Sequence, residues 1–324
     1  MLEVPNKATQ NLDLAVSYLR NGELVAFPTE TVYGLGADAR NPGAIQKVFQ
    51  AKGRPSDHPL IVHIADAQQL SEWATDIPAS AWLLAASFWP GPLTIILPKH
   101  PSVSALITGG QDTIALRIPK HPLTLELLSK FGSGLVGPSA NKYGHVSPTL
   151  AAHVATDLGD AVAAIVDGGP CAIGIESTII YLSDQQPVIM RQGAITAAAI
   201  EQILHTKVLV NSMPQTSIRT AGGDESHYAP NTPVYLLALN DIIAYARQQP
   251  NVSVISLHSK PIDLATNIVW QQLPLDPVAY AHDLYANLRA HDQLNNTAIL
   301  VEQVPLTISW AAINDRLTRA SVKK

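Results

Sequence analysis

The chain reads as an α/β protein in which twisted sheets are covered by helices. Three observations predict this. Apolar runs of strand length alternate with stretches that carry apolar residues at helical spacing. Hydrophobic residues make up 47% of the 324 and charged residues 15%, enough for a sizeable core and unlike a disordered chain. The length is about twice that of an ordinary domain, so one large or two ordinary domains are expected.

The remaining bulk properties exclude whole classes. The single cysteine, Cys171, rules out a disulfide scaffold and a multi-cysteine zinc site, and it fits a reducing compartment. A net charge of −5 is not that of a basic nucleic-acid protein. No apolar run approaches the roughly 20 residues that span a bilayer. The opening MLEVPNKATQNLD carries acids and lacks the apolar core of a signal peptide, so a cytoplasmic location without membrane attachment is expected.

The elements follow in order. Leu12, Ala15, Val16 and Leu19 recur at helical spacing and Gly22 stops them. A short buried strand is expected at 24–27, and Pro42 opens a helix carrying Ile45, Val48 and Phe49. Further strands are expected at 60–64, 93–98, 113–118, 134–139, 164–167, 177–182 and 187–191, and helices at 66–74, 79–88, 122–131, 148–158 and 196–205. From Lys207 to Pro233 the pattern lapses into polar residues, glycine and proline. A structureless stretch of about 25 residues is either functional or an interdomain segment. Beyond it, VYLLAL, a helix near 240–248, VSVISL, TNIVW, a helix at 276–291 and TAILVE form a second, smaller α/β unit. The domains are therefore expected at 1–205 and 233–324, with a linker over 206–232.

Open α/β sheets place ligands in loops that follow strands, and six such loops carry polar chemistry. PTETVYGLGAD (28–38) supplies the hydroxyls of Thr29, Thr31 and Tyr33, with Gly34 and Gly36 for close backbone approach. Its G-x-G-x-x-A match is not a dinucleotide fingerprint, because the glycines neither follow a strand tightly nor open a helix. AKGRPSDHPL (51–60) sets Lys52 and Arg54 on a proline-stiffened loop, a point charge beside a planar fork, suited to a triphosphate. Arg117 lies inside the apolar run TIALRI and requires an anion, either a protein carboxylate or a substrate carboxylate. GPSANKYGHVSPT (137–149) brings Ser139, Asn141 and Ser147 without forming a nucleophile elbow. DGGPCAIGIESTI ends in Glu176, Ser177 and Thr178, and Arg191 closes a strand. His63 has no partner at a metal spacing and reads as a strand histidine. Together, cations beside hydroxyls suit a polyphosphate and a small anionic co-substrate.

These motifs, in this order and spacing, together with WPGPLTIIL, VIMRQGAI, HYAPNTPV and the tail AYAHDLYANLRAHDQL…AAINDRLTRAS, resemble the YrdC-type threonylcarbamoyl-AMP synthases in their long, two-domain form. The resemblance covers nearly the whole chain. It implies a twisted, largely mixed sheet with helices for the first domain and a smaller Rossmann-like α/β domain after the linker. It implies joining L-threonine, bicarbonate or CO2 and ATP into threonylcarbamoyl-AMP with release of pyrophosphate. A tRNA threonylcarbamoyl transferase complex would take the product, for the adenosine next to the anticodon in tRNAs reading codons that start with A. It implies a reactive tetrad of Lys52, Arg54, Ser139 and Asn141. The implied threonine pocket is Thr31, His63, Arg117, Gly137 and Ser177. The implied nucleotide contacts are Arg54, His58, Thr113, Ser139, Ser147, Arg191, His227 and Tyr228, with Mg²⁺ on the phosphates and no metal ligands specified. His58 stands where the family often has asparagine, and Asp224 and Glu225 stand where its linker carries basic residues. Those acids either point outward or help hold a metal. Two other classes compete: a carbamoyl-transfer enzyme of hydrogenase maturation, which would need cysteine-rich zinc fingers, and a non-catalytic RNA-binding module, against which the net charge weighs.

Overall fold

Residues 7–182, 186–210, 218–220, 222 and 228–322 are described by a computed structural model of the chain. They divide into two compact units. The larger comprises Met1–Tyr143, Pro148–Ala172 and Glu176–Gly223; the smaller comprises Gly144–Ser147, Ile173–Ile175 and Asp224–Lys324.

The larger unit runs through β1 (Ala8–Thr9), α1 (Leu12–Arg20), β2 (Val25–Phe27), β3 (Gly34–Asp38), α2 (Pro42–Lys52), β4 (Ile61–His63), α3 (Leu70–Trp73), α4 (Ala79–Phe88) and β5 (Leu93–Pro98). It continues through α5 (Ala105–Thr108), β6 (Thr113–Arg117), α6 (Pro122–Phe131), β7 (Leu135–Val136), α7 (Ala151–Leu158), β8 (Ala164–Val166), β9 (Thr178–Leu182), β10 (Pro187–Arg191), α8 (Ala197–Leu204) and β11 (Leu209–Val210). Among the described residues the strands form one sheet in the order β1-β8-β2-β3-β7-β4-β6-β5-β9-β10-β11. It is mixed: β2–β3, β4–β7, β5–β6 and β9–β10 pair antiparallel, while β4–β6 and β5–β9 pair parallel.

Period-two alternation feeds two cores. Leu24 and Ala26 pack into the layer with Ile45, Val48, Phe49 and Leu84, whereas Val25 and Phe27 join Leu12, Val16, Leu19, Leu127 and Leu128 on the opposite face. Local chemistry sets the helix ends. The Asn41 side chain accepts from Gly43 N and Ala44 N, Pro42 fills the first turn of α2, and Gly53 closes it in the left-handed region at φ 65°.

Three differences from the sequence reading have physical causes. The stretch expected to be a loop at 28–38 contains β3, which carries two glycines instead of strand formers. The Phe27 ring lies across them: a Cβ on Gly34 would come within 2.8 Å of it, and one on Gly36 within 2.9 Å. Lys52 belongs to the last turn of α2, not to the loop after it. The span expected to be linker begins with β11, which pairs in parallel with β10.

The smaller unit holds β12 (Val234–Leu237), α9 (Leu239–Gln248), β13 (Val252–Ser256), β14 (Val269–Gln272), α10 (Pro277–Asp292), β15 (Ala298–Glu302) and α11 (Ala311–Ala320). Its sheet, β12-β15-β13-β14, is parallel throughout, as a Rossmann-like unit requires. Ile242 and Ala246 of α9 pack on Val252, Val254 and Leu300. No helix among the described residues is long and apolar enough to cross a membrane.

Candidate active site

Register builds the first cluster. Parallel pairing of β4 with β6 sets His63 opposite Arg117. Arg117 is 4% exposed; its Nε donates to Gly91 O at 3.2 Å and its Nη2 meets Glu30 Oε1 at 2.8 Å. The other carboxylate oxygen of Glu30 accepts from Lys120 N at 2.9 Å. The anion that Arg117 required is thus, at least in part, a protein carboxylate, which the sequence reading left open. The imidazole of His63 meets the Phe27 ring edge-on, and its Nδ1 has no hydrogen-bond partner among the described residues. Burial, and then the charge of Arg117, hold its pKa well below the usual value, so the ring is neutral at pH 7. Gly137 lets the backbone pack close against the ring: a Cβ there would fall 2.6 Å from His63 Nδ1.

Hydroxyls complete this cluster. Thr31 is buried, with its Oγ1 2.8 Å from Thr29 Oγ1. Ser177 Oγ lies 2.8 Å from Thr94 Oγ1 and accepts from Arg191 Nη2 at 3.1 Å, while Ser177 O accepts from Arg191 Nε at 3.1 Å. The segment 91–94 ties the two halves together, since Gly91 O takes Arg117 and Pro92 O takes Thr178 N. Arg191 is therefore bound to the Ser177 side of this cluster. Burial pushes the Cys171 thiol up to about 12, which excludes it as a nucleophile at neutral pH.

The second cluster joins α2 to the 139–141 turn. Lys52 is 2% exposed, and its Nζ donates to Ser139 O at 2.5 Å and Asn141 O at 2.6 Å. Among the described residues no carboxylate pairs with it. Burial, then the neighbouring Arg54, lowers its pKa well below 10.5. Arg54 Nη2 donates to Pro59 O at 3.0 Å, and its guanidinium lies 5.9 Å from the centre of the Tyr143 ring. His58 meets the same ring edge-on at 5.5 Å. Asn141 is buried and Ser139 half-buried, bridged to Gly34. All four tetrad residues thus gather around the end of α2.

Thr113 borders a shallow recess with Ile61, Ile96, Ile179, Gln111 and Arg219. Arg219 was not singled out from the sequence. Its backbone N–H donates to Gln111 Oε1 at 2.7 Å and its carbonyl accepts from Gln111 Nε2 at 3.1 Å, while the guanidinium reaches Asp57 at 3.2 Å and Gly109 O at 2.6 Å. Only its position in the basic-poor linker could have flagged it. Glu30 and Thr94 were also missed, although Arg117 in an apolar strand was itself a search cue for a buried acid.

The remaining expected contacts lie in the smaller unit or outside the described residues. Ser147 is buried, with its carbonyl accepting from Arg289 at 3.4 Å. Tyr228 is 1% exposed, adopts φ 65°, stacks on Tyr285 at 5.8 Å and lies under the Arg316 guanidinium at 5.1 Å. His227, Asp224 and Glu225 lie outside the described residues. Among the described residues no three His, Cys, Asp or Glu side chains cluster as metal ligands.

Comparison with known proteins places this geometry in context. A family model described as "Telomere recombination" matches residues 17–193, and one described as "Threonylcarbamoyl-AMP synthase, C-terminal domain" matches 195–322. The Threonylcarbamoyl-AMP synthase of Bacillus subtilis (strain 168) is 41% identical over 320 residues, 95% of this chain and 92% of that protein. That of Pyrococcus abyssi is 38% identical over 321 residues, 95% of this chain and 93% of that protein. A crystal structure of P. abyssi Sua5 complexed with L-threonine superposes with a TM-score of 0.87 at 36% identity, covering 96% of this chain and 94% of the other.

Proposed function

The chain belongs to the threonylcarbamoyl-AMP synthase family, and we propose that it makes L-threonylcarbamoyladenylate from L-threonine, bicarbonate or CO2 and ATP, releasing pyrophosphate. The observation that carries the reading is a contrast of charge within one sheet unit. Arg117 is a guanidinium beside hydroxyls and a neutral histidine, whereas Lys52 is a buried ammonium that meets carbonyls and no carboxylate among the described residues. The first arrangement fits an amino acid; the second fits phosphates.

The residues divide the work accordingly. The threonine carboxylate rests on Arg117, and its hydroxyl and amine on His63, Thr31 and Ser177, with Gly137 alongside. The amine adds to CO2; the new N–C bond gives a carbamate as the nitrogen sheds its proton. A carbamate oxygen attacks the α-phosphorus, and the bond to the β-phosphate breaks, so that pyrophosphate leaves. Lys52, Arg54 and Arg191 stabilise the charge that develops on the phosphates, and Ser139 and Asn141 orient the reacting groups. His58, Thr113 and Ser147 serve the nucleotide. No covalent enzyme intermediate is required.

Mg²⁺ enters on the ATP phosphates, which is how this ion is commonly held where protein carboxylates are few; no protein ligand is assigned to it. Residues 1–205 carry the chemistry and 233–324 form the smaller domain. We propose that the linker 206–232, about half of which, His227 included, lies outside the described residues, serves to shield a labile mixed anhydride from water. Supporting this, Arg219 is held by Gln111 and Asp57 beside Thr113 in the larger unit. The product passes, in the cytoplasm, to a tRNA threonylcarbamoyl transferase complex. Mass-spectrometric analysis of a reaction with L-threonine, bicarbonate and ATP tests the reading: threonylcarbamoyl-AMP is expected, and its absence alongside ATP turnover would sink it.

A further inference from the structure

Glu30 sits in the turn that presents Thr31, and it is 6% exposed. One of its carboxylate oxygens is ion-paired with Arg117 Nη2 at 2.8 Å, by charge and not by an aligned hydrogen bond, and the other accepts from Lys120 N at 2.9 Å. The other titratable groups beside the pair contribute no charge to it: His63 is neutral, and burial lowers the pKa of His121 and raises that of Cys171, leaving both uncharged at neutral pH. The Lys120 side chain is exposed, and the Arg191 guanidinium stands on the Ser177 side of the cluster, where the preceding residue, Glu176, is also buried. At the Arg117 end of the pocket one positive charge therefore faces one negative charge, side by side and out of water.

Such a pair differs from a lone guanidinium. An unbalanced buried cation attracts any small carboxylate, since Coulomb forces are strong where water is excluded. A balanced pair presents a local dipole and no net charge. A ligand that brings only a carboxylate then adds an uncompensated charge to the site. A ligand that brings a carboxylate and an ammonium adds none.

Resting on the proposed threonine pocket, we propose that Glu30 is a specificity-determining residue, cancelling the charge of Arg117 so that the pocket selects an amino-acid zwitterion over a simple hydroxy acid. Specificity of this kind comes from penalising the wrong ligand, not from adding a contact to the right one. Glu30 acts through Arg117 and is not assigned a contact with the substrate.

Calorimetric titration of the full chain with L-threonine and with 3-hydroxybutanoate, the same molecule without its amine, tests this. Glu30→Gln keeps the shape but removes the charge. It should narrow the preference for threonine by about tenfold or more, chiefly through tighter binding of 3-hydroxybutanoate. Glu30→Asp, which keeps the charge, should retain most of the preference. An unchanged preference in Glu30→Gln overturns the role of Glu30 while leaving the threonine pocket intact; failure of the wild-type chain to bind threonine overturns both. If Glu30→Gln does not fold, the wild-type chain decides. Threoninol, a cation without the carboxylate, and 3-hydroxybutanoate should bind within about tenfold of each other to a balanced pocket. A hydroxy acid that binds more than about tenfold better than threoninol would mean that Arg117 acts unbalanced, and would overturn the inference.

Discussion

Arg117 and Lys52 are both buried cations in the larger unit, yet they are held in opposite ways. Arg117 stands at the end of β6 against a buried carboxylate, so its charge is largely spent inside the protein. Lys52 stands at the end of α2 against two carbonyl oxygens, dipoles that orient the ammonium, with Asp157 as a more distant charge and no carboxylate in ion-pair contact among the described residues. On the proposed roles, the difference teaches how one sheet would serve two substrates. A balanced site suits a ligand of no net charge, and a cation kept unbalanced gains most when a polyanion arrives.

The largest expected effect comes from removing the unbalanced charge. Lys52→Ala should lower the rate of pyrophosphate release by about 100- to 1,000-fold, the usual cost of one preorganised donor aimed at developing charge. Steady-state assays at saturating threonine check this, and a loss under tenfold would place Lys52 outside the reacting centre. Next, Arg117→Lys should raise the KM for threonine by about 10- to 100-fold, because an ammonium cannot reproduce a fork shared between two carboxylates.

Proton uptake sharpens the contrast further. The pKa of Lys52 is lowered in the folded, empty site, first by burial and then by Arg54. Between that lowered value and the ordinary 10.5, the unfolded chain holds a proton that the folded chain has shed, so in this window Lys52 makes stability rise with pH. Phosphates beside it restore the proton. ATP binding should therefore take up protons in that window, measured by calorimetry in buffers of different ionisation enthalpy, and Lys52→Met should abolish the uptake. Threonine binding at the balanced site should show no such uptake from Lys52. The smallest effect is expected at the linker: the ion pair of Arg219 with Asp57 is half exposed, so Arg219→Ala should cost at most about 1 kcal/mol of stability. Its test is limited proteolysis near Gly222, which should speed up when the clamp on Gln111 and Gly109 is lost.

Much of this was legible in the residues. Arg117 in an apolar strand announced a buried anion, and Lys52 beside Arg54 on a proline-stiffened stretch suggested a phosphate-binding pair; that Ser139 and Asn141 belong with them came only from the family resemblance, and the fold gathers all four around the end of α2. Other features were hidden by the nature of the signals. The strand β3 is written in glycines because Phe27 covers them, so strand propensity said loop. Glu30 could not be matched to Arg117 because their pairing depends on tertiary packing across 87 positions of chain, which no local pattern encodes. The Gln111 clamp on Arg219 escaped notice because it grips backbone atoms, and any residue offers those. Tyr228 was taken as a nucleotide contact from the family resemblance, and its stacking on Tyr285, 57 positions along the chain, depends on tertiary packing that no local pattern encodes.

The most direct test of the central contrast is a crossed binding measurement. ATP and L-threonine are titrated separately into Lys52→Ala and Arg117→Lys. Division of labour predicts that Lys52→Ala loses affinity for ATP and keeps that for threonine, while Arg117→Lys does the reverse. If either variant weakens both ligands to the same degree while remaining folded, the two cations serve one undivided site, and the account of a balanced pocket beside an unbalanced one is wrong.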